Sequence, residues 1–488
     1  MNRDRSVALE TLLRTLAQSA RVTGPRDAAV TALTIDSRQV QPGSVFIALR
    51  GEHTDGHRFV GQAVQSGAVA VVMEEPCDIP AGVTSIVVPD SARALSTLAD
   101  AFYGFPSRDV IIAGVTGTNG KTTTTQMVAA ILSASGRPCG VIGTIGARLG
   151  EREWPLANTT PLAPELHALL AQMRDLGASA VAMEVSSHAI ALQRVADVRF
   201  RVGALTNVTR DHLDFHKTFD AYAAAKRRLF DMAPRCVFNA DDDLGDRWSR
   251  ELRGHKPVIT YGMQRAADVM PRTVEVRADG STFDVDRQRF DVRIPGRFNV
   301  ANALCAIGIA RQLDVSDADS ARGLGSLERV AGRMEHVRGD GVDVIVDYAH
   351  TPDALENVLR TARETASQRL VVVFGCGGDR DRGKRPQMGQ IAARYADFSY
   401  VTSDNPRTED PQSIIGEILP GIGAAPHAVQ ADRRAAIEEA VRTARAGDVI
   451  VVAGKGHERY QIVGTQVLPF DDLAVARDAL REREAAHR

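Results

Sequence analysis

The run Gly114-Val115-Thr116-Gly117-Thr118-Asn119-Gly120-Lys121-Thr122 combines the residue types that cradle a triphosphate. Gly117 and Gly120 permit backbone conformations and close approaches that a Cβ would hinder. Main-chain N–H groups opening the next helix then face phosphate oxygens. Lys121 supplies a point charge for the β- and γ-phosphates, and the Thr122 hydroxyl is placed to ligate Mg²⁺. Val110-Ile111-Ile112-Ala113 reads as a buried strand before the loop, and residues 123–135 as a helix stopping near Gly136. The common phosphate-loop spacing puts glycine five positions before Gly120, where this chain has Val115. That departure argues against a GTPase or a generic ATPase. An ordinary structural turn is the bland alternative, and the flanking strand and helix favour phosphate binding over it.

Further chemistry-bearing residues follow apolar runs. Glu184 ends such a run, where open α/β sheets place ligand-binding groups. Its carboxylate can join Thr122 on Mg²⁺, which prefers a few hard oxygens completed by water and phosphate; a solvated strand-end glutamate is the alternative. Ser186-Ser187-His188 follows at the same edge, and nothing nearby completes a serine-hydrolase triad. In Asn207-Val208-Thr209-Arg210-Asp211-His212-Leu213-Asp214, His212 is either a ligand or a satisfied loop histidine. Lys226 lies in a helical segment with Tyr222, Leu229 and Phe230 on its face, while Arg227 and Arg228 turn away. Desolvation there favours the neutral amine, which can take up CO₂ as a carbamate. Periodicity alone favours a snorkelling structural lysine.

The elements that must position these residues fill a long chain. Its 488 residues exceed one hydrophobic core, and about three domains are expected. Hydrophobic content of 44% and charged content of 25% describe a globular protein. Lys plus Arg (59) nearly balance Asp plus Glu (61), so bulk charge gives no case for nucleic acid. The five cysteines (77, 139, 236, 305 and 376) show no metal-type spacing and read as small buried hydrophobes in a reducing cytoplasm. Arg3, Asp4, Arg5 and Glu10 interrupt any leader-like apolar core. Leu9, Leu12, Leu13 and Leu16 instead predict an amphipathic first helix. No apolar run suffices to cross a bilayer, so a cytoplasmic protein is expected.

Three segments are expected, 1–107, 108–337 and 338–488, without internal repeats. In the first, strand-like runs at 44–49 and 68–73 are separated by turns such as Gln41-Pro42-Gly43. In the second, runs at 139–143, 180–185 and 202–207 alternate with helical stretches in a doubly wound pattern. The third repeats that alternation with runs at 342–347, 370–374 and 449–453.

Taken in order, Gly117 through Thr122, Glu184-Val185-Ser186-Ser187-His188, Asn207 through His212 and Ala225-Lys226 resemble the Mur ligase family. The resemblance continues through Pro295-Gly296-Arg297-Phe298-Asn299-Val300-Ala301-Asn302-Ala303, Gly332-Arg333-Met334-Glu335 and Asp347-Tyr348-Ala349-His350-Thr351-Pro352. It implies an α/β chain of three domains: a UDP-binding N-terminal domain, a central phosphate-loop ATPase domain with a mostly parallel sheet, and a Rossmann-like C-terminal domain. Asp36-Ser37-Arg38, Asp55-Gly56-His57 and Asn158-Thr159-Thr160-Pro161 resemble the motifs of family members that add the third residue of the peptidoglycan peptide. The resemblance implies that Ser37 contacts the UDP-sugar and that Thr159, Thr160, Ser186 and Arg194 hold the muramoyl-dipeptide. Leu192 departs from forms carrying glutamine there; it and Gln193 are left out of the binding set.

Asp404-Asn405-Pro406-Arg407 resembles the signature of members adding meso-diaminopimelate. An arginine held after Pro406 can grip a distal carboxylate bidentately, and L-lysine, lacking that carboxylate, would leave it unpaired. Arg380, Gly454 and Glu458 match the remaining amino-acid positions. The resemblance further implies that Gly117, Thr118, Asn119, Gly120, Lys121, Thr122 and Thr123 bind ATP, with Asn302, Arg333, Asp347 and His350 helping across the domain junction. Thr122, Glu184, His212 and Lys226, the last as N6-carboxylysine, are the implied magnesium set, and Lys121, Lys226, His212 and Glu184 the catalytic set. The implied reaction joins meso-2,6-diaminopimelate to the D-glutamate γ-carboxylate of UDP-N-acetylmuramoyl-L-alanyl-D-glutamate through an acyl phosphate. Closure of the C-terminal domain would exclude water from that intermediate. A monomer without nucleic-acid or membrane partners is expected. The competing readings are a relative using L-lysine, a folylpolyglutamate synthetase and a nucleotide-dependent switch without synthesis.

Overall fold

The computed structural model describes residues 5–16, 18–51 and 54–487. They form two compact units: Met1–Thr116 with Gly136–Gly203 and Ala225–Arg235, and Gly117–Ser135 with Ala204–Ala224 and Cys236–Arg488. Each unit is α/β.

In the first unit, parallel strands Thr84–Val87, Ala70–Met73, Ser44–Ile47 and Ala32–Thr34 form a sheet edged by antiparallel Arg21–Thr23. Alternate side chains feed two cores. Val45, Ile47, Val72 and Ile86 meet the Leu9–Leu13 and Ser91–Phe102 helices, while Phe46, Val71 and Met73 pack against Val60 and Ala63. The first helix is shorter than expected. Leu9 and Leu12 are buried, but the Thr15 hydroxyl donates to the Leu12 carbonyl and Leu16 packs from beyond the last turn. Arg3 and Asp4 lie outside the described residues.

The same unit holds strands Cys139–Gly143, Ala180–Glu184 and Ile111–Thr116, paired in parallel in that order. Antiparallel Gly146–Leu149 and Arg152–Trp154 extend the Cys139–Gly143 edge. Being covered on both faces, the parallel strands are apolar almost throughout.

In the second unit, Leu370–Phe374, Val449–Ala453 and Val342–Asp347 lie in one six-stranded sheet. Val342–Asp347 and Leu370–Phe374 both pair in parallel with Val449–Ala453, and antiparallel Glu335–Gly339 edges the sheet. Their ends face one way, toward Tyr348, Gly375 and Gly454, where a doubly wound sheet binds ligands. A hairpin of Tyr460–Val463 and Gln466–Pro469 follows.

Four cysteines are buried as expected, but Cys77 is exposed, because it sits beyond the end of the Ala70–Met73 strand. Among the described residues no helix is long and apolar enough to cross a membrane.

Candidate functional site

The phosphate loop is built as its residue types require. The strand ends at Thr116 and the helix spans Lys121–Ala134, starting two residues earlier than the sequence suggested. Gly120 caps that helix in the left-handed region at φ +84°, and a Cβ there would lie 2.3 Å from Asn302 Oδ1. At Gly117 (φ +152°) a Cβ would lie 1.8 Å from Thr206 Oγ1. The loop is laced to the Asn207 segment: Asn119 N–H donates to Asn207 Oδ1 (3.0 Å) and Thr118 N–H to the Asn207 carbonyl (2.9 Å). Thr118 Oγ1 lies 2.9 Å from the Tyr222 hydroxyl. Lys121 Nζ donates to the carbonyls of Gly117 and Thr118, so its charge sits over the loop.

Of the residues expected to assist ATP, Asn302 stands over Gly120, and Arg333 donates to Thr122 Oγ1 (3.1 Å) while stacking on Tyr348. Thr123 is buried in the first helical turn. Asp347 accepts from the main-chain N–H of Met334 and Ala349, both at 2.8 Å, and so fixes the turn carrying Arg333. Burial raises its pKa, against the pull of Arg333. His350 instead lines a cavity with Asp211 and His212. Its Nδ1 lies 2.8 Å from the Tyr348 carbonyl, which assigns the proton to Nδ1 and leaves the Nε2 lone pair available. Burial, then Lys384, depresses its pKa to about 4, so it is neutral at pH 7. Asp211 shows the reverse balance: burial opposes ionisation, but His212 and Lys384 hold its carboxyl well below the usual range.

That cavity, of about 180 Å³, gathers Arg380, Asp404, Asn405, Arg407, Gly454 and Glu458. These residues come from loops after three strands, and all were singled out in the sequence. Pro406 is not in the wall. It sets the turn, and a Cβ on Gly378 would lie 1.9 Å from its carbonyl oxygen. Asn405 Nδ2 donates to Glu458 Oε2 (2.9 Å), while buried Lys455 donates to Asn405 Oδ1 and Glu458 Oε2, both at 3.0 Å. Arg407 adopts φ +51°, uncommon for a side-chain-bearing residue. Main-chain bonds hold it there: its N–H donates to Ile462 O and its carbonyl accepts from Gly464. Arg407 Nη1 donates to Gly378 O (2.8 Å), and Arg380 Nη1 to Asp379 O (2.9 Å). Among the described residues neither guanidinium forms an ion pair with a carboxylate. Burial, then the neighbouring Arg380, lowers the Arg407 pKa. Arg380 and Arg407 share the cavity with Lys384 and with Asp211, Asp214, Asp381, Asp404 and Glu458, so it offers cations to a carboxylate and carboxylates to an amine.

In the first unit, Glu184 Oε1 accepts from Thr144 N–H (2.8 Å) and Oε2 from the Thr144 hydroxyl (3.0 Å), which lies 3.2 Å from Thr159 Oγ1. A Cβ on Gly143 would strike Glu184 Oε1 at 2.3 Å. Thr160 Oγ1 donates to the Glu184 carbonyl and accepts from Ser186 N–H, and Arg194 donates to the Thr160 carbonyl (3.0 Å). Thr159, Thr160, Glu184, Ser186 and Arg194 are therefore one cluster. Burial lowers the Arg194 pKa, with Glu165 opposing. Ser37 stands in a separate turn, donating to Gln62 Oε1 (2.9 Å). Leu192 is exposed, outside the cluster. Lys226 is 1% exposed, in a helix that ends at Arg227; one turn residue later Leu229 and Phe230 begin a second short helix, yet Tyr222, Lys226, Leu229 and Phe230 are all buried while Arg228 is exposed, as their spacing predicted.

Sequence reasoning missed Thr144, Lys384, Tyr348 and Lys455. Thr144 follows a strand that ends in glycine, a position that could have been flagged. Tyr348 lay inside the quoted Asp347-to-Pro352 motif and Lys455 beside Gly454, without a role being given to either, whereas Lys384 gave no local signal.

Comparison with known proteins covers most of the chain. Three family profiles match: "Mur ligase family, catalytic domain" over residues 29–103, "Mur ligase middle domain" over 115–310 and "Mur ligase, glutamate ligase domain" over 332–456. A protein of Syntrophomonas wolfei named UDP-N-acetylmuramoyl-L-alanyl-D-glutamate--2,6-diaminopimelate ligase is 45% identical over 94% of this chain and 96% of its own. A Gloeobacter violaceus protein of the same name is 46% identical over 94% and 95%. A solved structure of a ligase of that name superposes with a TM-score of 0.69 at 33% identity, covering 99% of this chain and 100% of its own. On the identity and coverage of these relatives, the chain belongs to the Mur ligase family of ATP-dependent, amide-forming enzymes.

Proposed function

We propose that the chain adds meso-2,6-diaminopimelate to UDP-N-acetylmuramoyl-L-alanyl-D-glutamate at the expense of ATP, in cytoplasmic peptidoglycan precursor synthesis, as a monomer of three functional segments (1–107, 108–337 and 338–488). The names of its relatives support the reaction. The observation that carries the amino acid's identity is the pair of guanidinium groups, Arg380 and Arg407, facing the cavity without a carboxylate of their own. An amino acid with a carboxylate at its far end answers that pair; L-lysine does not.

A carboxylate is a poor electrophile, so the γ-phosphoryl of ATP is first transferred to the D-glutamate carboxylate with ADP as leaving group. Gly117–Thr123 and Lys121 bind the phosphates, and Asn302, Arg333 and Asp347 order the loop's surroundings. Thr159, Thr160, Ser186 and Arg194 position the dipeptide, and Ser37 the UDP-sugar. The amine of the incoming amino acid, oriented by Arg407, Arg380, Asn405 and Glu458, attacks the acyl carbon. The amine's proton leaves with the departing phosphate as the amide forms.

The donor set suits Mg²⁺: Thr122 and Glu184 offer hard oxygens, His212 an imidazole, and Lys226 an oxygen once carbamylated. Lys226 is almost fully buried, so a carbamate formed there would be shielded from bulk water. When bound, the ion neutralises charge on the transferring phosphoryl group.

Mass spectrometry of UDP-linked product across a panel of amino acids tests the assignment. ADP and phosphate should accumulate only with both UDP-dipeptide and diaminopimelate present. A product containing lysine at equal rate would overturn it.

A further inference from the structure

A second cavity, of about 630 Å³, opens in the first unit at the opposite end of the parallel strands from Glu184. Ile111 begins the strand whose Val115 pairs with Glu184, so this cavity lies about four residues, or ~13 Å, from the Glu184 edge. It carries none of the residues assigned above.

Its charge is unbalanced in a specific way. Two acidic residues line it, and each is neutralised from outside: Asp109 by Arg174 (3.4 Å), Asp197 by Arg93 (3.0 Å) and the Thr97 hydroxyl (3.1 Å). Three arginines line it, Arg108, Arg199 and Arg201, all exposed. Among the described residues no carboxylate lies within ion-pair distance of any of them, although most other arginines of this chain are paired. One is ordered before any ligand arrives: the Arg108 guanidinium stacks 3.7 Å from the Phe105 ring centroid. The main-chain N–H of Arg199 donates to Ser107 Oγ (3.1 Å), which ties its backbone to the Arg108 turn. Arg201 lies in the strand Phe200–Leu205, and Arg199 stands in the turn just before it, closed by the Phe200 N–H donating to the Val198 carbonyl. Met232 and Pro234 provide apolar wall.

We propose that this cavity binds a compact phosphate-bearing polyanion. Guanidinium forks match phosphate oxygens bidentately, and a cleft of one sign concentrates its counter-ion. The volume suits a ligand up to nucleotide size. An inorganic polyphosphate and a nucleotide share this chemistry. The proposal does not depend on the assigned reaction.

Hydrogen exchange on the full chain tests it, because the Arg199 amide reports locally. Tripolyphosphate and UMP are titrated separately, and protection of residues 107–111 and 196–201 is followed. At least one should protect both segments, and the one acting at lower concentration identifies the source. Arg199→Gln combined with Arg201→Gln should raise the midpoint by about tenfold or more, through loss of two charge-assisted contacts. Lys121→Ala should leave that midpoint unchanged, separating this site from the phosphate loop. The double variant's ligation activity, which shows that the fold is intact, should equal that of the parent. Absence of protection with both probes, or an unshifted midpoint in the double variant, overturns the proposal.

Discussion

Replacing Arg407 by lysine isolates the fork geometry from the charge. Arg407 keeps one Nη on the Gly378 carbonyl and leaves the rest of the guanidinium facing the cavity. A distal carboxylate held there makes two charge-assisted hydrogen bonds, of about 1.5–3 kcal/mol each, and an ammonium retains one of them. The expected loss is ~2 kcal/mol, or about thirtyfold in kcat/KM for meso-diaminopimelate. Arg407→Ala removes both contacts and should cost ~4 kcal/mol, near a thousandfold. Backbone strain does not confound the comparison, since arginine, lysine and alanine share the same penalty at φ +51°. The internal control is L-lysine as substrate: it has no carboxylate to lose, so its slow rate should change little. Coupled ADP release, with mass spectrometry of the product, reads both numbers. If the two amino acids lose the same factor, Arg407 merely supports the loop and the specificity argument fails.

Lys226→Ala should abolish most ligation, with partial recovery on adding a small carboxylate such as acetate; full activity without rescue rejects the carbamate. Gly117→Ala drives a Cβ to 1.8 Å from Thr206 Oγ1 and should raise the KM for ATP more than tenfold, checked by initial rates. His350 has its pKa depressed from 6.5 to about 4, so between those values the unfolded chain binds the proton more readily. Its contribution to stability is therefore whole above pH 6.5 and is lost as pH falls toward 4. Urea midpoints of His350→Gln should fall less steeply across that window than those of the parent, and parallel curves would contradict the assignment.

Where an element is sheathed on both faces, its identity was legible: Val342–Asp347, Leu370–Phe374 and Val449–Ala453 coincide with the apolar runs that predicted them. Ends governed by capping were less so. The strand expected at 44–49 stops at Ile47, and the helix carrying Lys226 ends at Arg227. The cavity residues Arg380, Asn405, Arg407 and Glu458 were found through their motifs, because each motif is a local turn after a strand. Thr144 stands at a strand end that could have been flagged, but its grip on Glu184, forty positions away, was not legible, since only strand pairing brings the two together. Lys384 likewise joins His350 and Asp211 through tertiary packing alone.

Arg407 is gripped through its own peptide groups by Ile462 and Gly464, with no side chain of the hairpin involved in that hold. Val467 and Leu468 at the hairpin's outer strand are exposed. Drift at those outer positions should therefore leave substrate choice intact, whereas a deletion that changes the hairpin's register would shift the guanidinium bodily. Gly464, at φ +59°, tolerates no such freedom. Selectivity at this pocket should therefore follow the length of the ribbon and be insensitive to its outward lettering.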